Sequence, residues 1–169
     1  VCLHLTKVVK HCWELVIKYL GIYIRNIMSD TDDMKRQMQA IYAKSNMLIR
    51  KFKKCSDNVK SVLFKTHCVN FYCCQLWSSF TKEVYKMVKV AYNNSFRHMF
   101  QLCRQEHVSP QFVSRNICTF DAAIRKAAFS LKSRVNNSHN KILSSIIESR
   151  FYILGSSLNA HWRKLLFKF

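Results

Sequence analysis

Glycine and proline are almost missing from this chain of 169 residues: Gly21, Gly155 and Pro110 are the whole supply. Turn-rich β folds draw on both, because tight turns need either positive φ or a φ fixed near that of proline. Their scarcity predicts helices joined by short polar loops. Acid is the second shortage. Nine Asp and Glu stand against 28 Lys and Arg, a formal net charge of +19. No apolar run approaches the ~18 residues of a membrane span. The eight cysteines show neither C-x-x-C nor closed four-ligand zinc spacing. With no signal peptide recognisable, the chain is expected to be intracellular, nuclear or cytoplasmic, with its cysteines reduced.

The chain does have apolar substance. Hydrophobic residues make up 49% and aromatics 13%, enough for one domain with a sizeable core. The positive surplus repels itself, so it implies a polyanionic partner, with nucleic acid first and an anionic membrane surface second. The chain opens at Val1 on residues that read as structured interior, which suggests a piece of something longer.

Three of the nine acids crowd into "SDTDD", Ser29 to Asp33. Adjacent aspartates can hold polymerase metals, but a two-metal site needs carboxylates converging from separate elements. Glu14, Asp57, Glu83, Glu106, Asp121 and Glu148 are each isolated in sequence. A long amphipathic pattern follows the pair, so the aspartates are expected in the first turn of a helix capped by Ser29 or Thr31. Carboxylates there face the positive end of the helix dipole, worth ~0.3–1 kcal/mol each.

Residues 1 to 24 alternate between β-rich runs, "VCLHL" and "ELVIKYLGIYI", around the polar "TKVVKHCW". They predict a small antiparallel hairpin, with Gly21 at a bulge or a close backbone approach. From Asp30 the period turns helical. Met34, Met38, Ile41, Ser45, Leu48, Ile49 and Phe52 share one face. A second helix is expected from the cap Ser56 to about Ser78, with Val59, Leu63, Thr66, Asn70, Cys73 and Trp77 on one side. Phe64, Phe71 and Tyr72 lie on its other side, so it reads as central in its bundle. A third, about Thr81 to Leu102, has Val84, Val88, Ala91, Tyr92, Ser95, Phe96 and Met99 inward. Ser109-Pro110 is expected to open a short helix. Thr119 caps another to about Val135, with Ile124, Ala128, Leu131 and Val135 inward. Two more are expected over Lys141 to Phe151 and "SLNAHWRKLLFKF".

The basic residues form stripes. Lys82, Lys86, Lys89 and Arg97 lie along one face of the third helix. Lys44 and Lys51 flank the apolar face of the first, and Arg50, Lys53 and Lys54 crowd its end. Such spacing suits a phosphate backbone, which carries one charge per ~1.7 Å of duplex. Contacts of this kind position a protein without reading sequence. Trp77, Tyr85 and Tyr92 could stack on bases, but their helical positions coincide with the core faces.

The stretch "KYLGIYIRNIMSDTDDMKRQ" resembles the segment after the catalytic palm in reverse transcriptases of non-LTR (LINE-like) retrotransposons. There a K-Y-L-G strand leads into S-D-x-x-D-x-x-R-Q and a helix. "CSDNVKSVLFKTHC", "CCQLW", "KVAYNNSFRHMF" and "TFDAAIRK" are similar to successive segments of the same family's C-terminal region. The resemblance implies a mainly α, thumb-like helical bundle with a small N-terminal β-hairpin. It divides the chain into an end-of-palm β element (1–28), thumb-like helices (29–105) and a post-thumb helical region (106–169). It assigns a primer-grip-like strand to Lys18, Tyr19, Leu20 and Gly21. It also implies template–primer RNA or DNA as partner, together with the missing palm and fingers. The family's metal-binding aspartates would lie upstream of Val1. The glycine that the family has in the turn before K-Y-L-G is absent from "LTKVVK".

The expectation is a non-catalytic fragment with no catalytic residue, no metal and no cofactor. It should contact nucleic acid through Lys44, Arg50, Lys51, Lys82, Lys86, Lys89 and Arg97, with no membrane involved. A structural or protein-interaction helical module, or an inert retrotransposon relic, is the alternative.

Overall fold

A computed structural model of the chain describes residues 16–19, 22–25, 29–156, 159–160 and 162–163. These residues are mainly helical. Two short strands, β1 (Val16–Tyr19) and β2 (Ile22–Arg25), pair antiparallel with Tyr19 opposite Ile22. Both strands come from the second apolar run. The first run, expected as its partner, lies outside the described residues, as do Leu20 and Gly21.

Helix α1 (Thr31–Phe52) follows. Its N-cap is Asp30, rather than Ser29 or Thr31. Ser29 Oγ instead accepts the backbone N–H of Thr31 at 3.4 Å. The Asp30 carboxylate is engaged elsewhere: its Oδ2 accepts the backbone N–H groups of Ser78 (2.7 Å) and Ser79 (2.8 Å). One turn on, Asp33 is 1% exposed. Its Oδ2 accepts Trp77 Nε1–H at 3.0 Å, and its Oδ1 accepts Arg36 Nε and Nη2 at 3.0 and 2.6 Å. Gln37 Nε2 donates to the carbonyl of Tyr72 at 3.0 Å. Buried polar groups need such partners, and charged ones need them most. The start of α1 is therefore bolted to the segment 72–79.

That segment departs from the sequence pattern. Helix α2 (Asp57–His67) stops eleven residues before the expected Ser78. Cys73 then takes a left-handed conformation (φ 58°), and Cys74–Leu76 form a single 3₁₀ turn. The inner side of α2 is also the other one. Ser61 and Phe64 are buried while Val59 and Val62 are largely exposed, so the helix is not central. Breaking the helix lets Phe71, Cys74 and Trp77 all reach the core.

Helix α3 (Lys82–Phe100) begins at Thr81, whose side chain accepts from Val84 N. All seven residues expected on its inner face are buried. Asp30 meets Ser78 and Ser79 at one end, and Ser45 Oγ donates to Ser95 Oγ farther along. Helices α1 and α3 therefore run side by side in the same direction, with α2 and the 68–80 segment returning between them.

Helix α4 (Val108–Ser114) starts two residues before Pro110, with His107 as N-cap, so the proline falls inside the first turn. It is tolerated there because the N–H it lacks would have had no intrahelical acceptor. Helix α5 (Phe120–Asn136) is capped by Thr119. The expected helix from Lys141 to Phe151 is interrupted at Ser149, which ends α6 (Lys141–Glu148) and caps α7 (Arg150–Gly155). Of the last expected helix, residues 159–160 and 162–163 are helical; Leu158, Leu165 and Phe169 lie outside the described residues. Trp162 is fully buried against Tyr152, with ring centroids 6.3 Å apart.

One apolar cluster runs from Met34 to Ile124. Its centre is aromatic. Phe64 packs on Tyr92 and Phe96 at 5.5 Å each, Phe71 on Phe120 at 5.3 Å, and Phe96 on Phe112 at 4.1 Å. Such ring pairs add ~0.5–1.5 kcal/mol beyond area burial.

The buried carboxylate gives the first prediction. Asp33→Ala leaves Trp77 Nε1 and the Arg36 guanidinium without their acceptor and should lower the free energy of urea unfolding by ~2–4 kcal/mol. Circular dichroism at 222 nm measures this; a loss within about 0.5 kcal/mol would show the tie to be dispensable.

Candidate nucleic-acid interface

The seven cations singled out from the sequence do not form one track. Lys44, Arg50 and Lys51 are exposed on the second half of α1, beside Lys53 and Lys54 in the turn that follows. Lys44 stands close enough to Cys68 to act on its thiol, so it lies on the α2 side of α1. Lys82 and Lys86 are exposed near the start of α3. Because α1 and α3 run in the same direction, these two groups sit at opposite ends of the pair. At 1.5 Å per residue they are roughly 20 Å apart along the axis.

The other two members of the α3 stripe are held by the fold. Lys89 Nζ donates to Asp121 Oδ2 at 2.6 Å, and Tyr85 Oη donates to Asp121 Oδ1 at 2.7 Å. Burial alone would raise the Asp121 carboxyl. Hydrogen bonds from Lys89 and Tyr85, with the charges of Lys89 and Arg125, outweigh it and hold the group below its ordinary value of 3.8. Tyr85 moves the opposite way, first through burial and then through its bond to Asp121. Arg97 folds back so that its Nη2 donates to the Glu106 carbonyl at 3.3 Å, while its Nε is buried with no partner among the described residues.

Sequence reasoning missed Arg125. It is exposed on α5 and acts on both Asp121 and Tyr85, so it extends the α3 stripe onto the neighbouring helix. The signal was the i,i+4 pair Asp121–Arg125 on a helix already recognised. The resulting ridge carries Lys89 and Arg125 beside Asp121, with Lys82 and Lys86 nearer the start of α3. Glu83 is the one acid within α3 itself. Of the primer-grip-like residues, Lys18 is exposed on β1 and Tyr19 ends that strand; Leu20 and Gly21 lie outside the described residues.

The aromatics with stacking potential are in the core. Trp77 and Tyr92 are buried, and Tyr92 Oη donates to the Cys118 carbonyl at 2.7 Å. Tyr85 is partly buried and stacks on Phe80 with centroids 5.4 Å apart. Burial pushes the Cys68 thiol up to about 11 and the Cys74 thiol up to about 12. Neither offers a thiolate at neutral pH. Among the described residues no group of three or more His, Cys, Asp or Glu is placed to hold a metal ion, and no helix is long and apolar enough to cross a membrane. No family model, curated protein or solved structure matches the chain.

Two outcomes follow from these contacts. Asp121 titrates lower in the folded chain than its ordinary value of 3.8, so its stabilising contribution is present above about that pH and is lost as pH falls through the folded value. Asp121→Asn should therefore be less stable than wild type at pH 7, and the gap should close as pH falls through the folded value. A gap that persists undiminished into acid would place the effect outside this carboxylate. Iodoacetamide at pH 8 should alkylate exposed Cys103 and spare Cys68 and Cys74 until urea is added. Peptide mass spectrometry reads the order, and early labelling of Cys74 would contradict it.

Proposed function

We propose that this chain is a non-catalytic, nucleic-acid-binding helical module, a fragment of a non-LTR retrotransposon reverse transcriptase that grips template–primer RNA or DNA by its phosphates. The observation that carries this is how the two signs of charge are distributed. Asp30, Asp33, Asp57 and Asp121 are each tied to partners within the fold. Lys44, Arg50, Lys51, Lys82 and Lys86 stand exposed. Were every acid paired with its own cation, nineteen cations would still remain.

The order of motifs from "KYLG" through "TFDAAIRK" supplies the family assignment. The non-catalytic part is supported by the aspartate pair, since both carboxylate oxygens of Asp33 are already engaged by Trp77 and Arg36. Phosphate contacts through Lys and Arg give affinity that falls steeply with salt and is indifferent to sequence.

A protein-interaction module is the second reading. It is favoured by exposed Phe129, Ile142 and Phe151 along α5–α7, the last 89% exposed. The two readings separate in one titration. With a 20-base-pair duplex, log Kd plotted against log salt should be steep, and Lys82→Gln/Lys86→Gln should make the slope shallower by about 2. Absence of binding at 50 mM salt, or a salt-independent affinity, would leave the protein-interaction module standing instead.

A further inference from the structure

A groove of about 560 Å³ lies between α2 and α4, away from the ridge on α3 and α5. Its volume falls in the ~300–1,000 Å³ range of sites that accept a small molecule or a single residue of a polymer. One wall is a face of α2 carrying Asn58, Val62 and Lys65; the other presents Gln111 and Asn116. A bridge ties the walls: Arg115 Nη2 meets Asp57 Oδ2 at 3.2 Å and its Nη1 donates to Gln111 Oε1, with the guanidinium 4.6 Å over the Phe100 ring. Lys60 also approaches Asp57, at 3.8 Å. The groove's one carboxylate is thus neutralised from two sides. Lys65 remains the cation lining the groove with no ion pair to a described carboxylate.

The chemistry on show is specific. Asn58 and Asn116 offer both a donor and an acceptor, from opposite walls. Val62, 62% exposed, adds an apolar surface to the α2 wall. Lys65 supplies one positive charge. Paired amides with an apolar contact are what hydrogen-bonds the edge of a flat heterocycle, as in the recognition of unpaired bases. One cation beside them matches one phosphate. A duplex presents its base edges within its own grooves and cannot lay a single base between two helices.

On the premise that the chain binds nucleic acid, we propose that the α2–α4 groove takes one unpaired nucleotide of a strand flanking the duplex. Asn58 and Asn116 meet the base edge, Val62 its face and Lys65 its phosphate. Duplex phosphates bind the α3–α5 ridge independently.

The test uses the full chain, a blunt 20-base-pair duplex, and the same duplex with a four-nucleotide single-stranded extension, by fluorescence anisotropy at fixed salt. The extension should tighten binding by about tenfold. Asn58→Leu/Asn116→Gly changes no charge and keeps a residue suited to positive φ at position 116, where φ is 52°. It should abolish the tenfold gain while leaving blunt-duplex affinity and circular dichroism unchanged. Equal affinity of the wild-type chain for both duplexes would overturn the groove assignment and leave the phosphate-binding reading intact, as would a gain that survives the double substitution. Failure to bind either duplex at low salt would overturn both.

Discussion

Asp33 is the contact on which the architecture turns. A carboxylate sealed from solvent must have its oxygens satisfied, and here the partners come from two places. Arg36 is local, and Trp77 lies 44 residues further on. That long bond, with Asp30 on the Ser78 and Ser79 amides and Gln37 on the Tyr72 carbonyl, fixes where the 68–80 segment crosses α1. Everything after it inherits this position. Helix α3 starts beside the beginning of α1 and runs along it, and α5 then packs Phe120 into the aromatic centre. Two of the acids of "SDTDD", Asp30 and Asp33, thus build the fold.

The same scarcity of acid shapes the surface. With few carboxylates available, those with structural roles sit at joints: Asp33 beneath Trp77, Asp57 against Arg115, Asp121 between Tyr85 and Lys89. Each joint uses one or two cations and leaves the others facing water. Self-repulsion among them disfavours the isolated, compact chain at low ionic strength. A polyanion relieves that repulsion and gains counterion release at once. The uneven placement also matters, because Lys44, Arg50 and Lys51 lie toward one end of the α1–α3 pair and Lys82 and Lys86 toward the other, instead of along one track.

Much of the fold was legible in the residues. The inner face of α3 follows from its 3–4 periodicity alone, because one side is apolar and the other carries Lys82, Lys86 and Lys89. Helix α2 was not legible for the converse reason. Val59 and Leu63 on one side and Phe64 and Phe71 on the other are equally apolar, so periodicity could not choose between them. Nor does any Gly or Pro mark the break after His67. The break is held by tertiary bonds from α1, with Cys73 in a left-handed conformation that a non-glycine residue adopts at a cost of ~1–2 kcal/mol. The cations of the basic stripe were legible in sequence, and their neighbours were not. Lys89 and Arg97 share the stripe of Lys82, yet Asp121, 32 residues on, captures the first and the Glu106 carbonyl, in the loop after α3, the second. Spacing along one helix carries no information about what packs beside it.

Whether the displayed positive charge binds phosphates is decided by comparing affinity for an ordinary DNA duplex with affinity for a duplex of the same bases on an uncharged backbone. Micromolar binding to the first, and at least a hundredfold weaker binding to the second, is the result expected at 100 mM salt. Equal affinity for the two would contradict it, because recognition would then reside in something other than the phosphates.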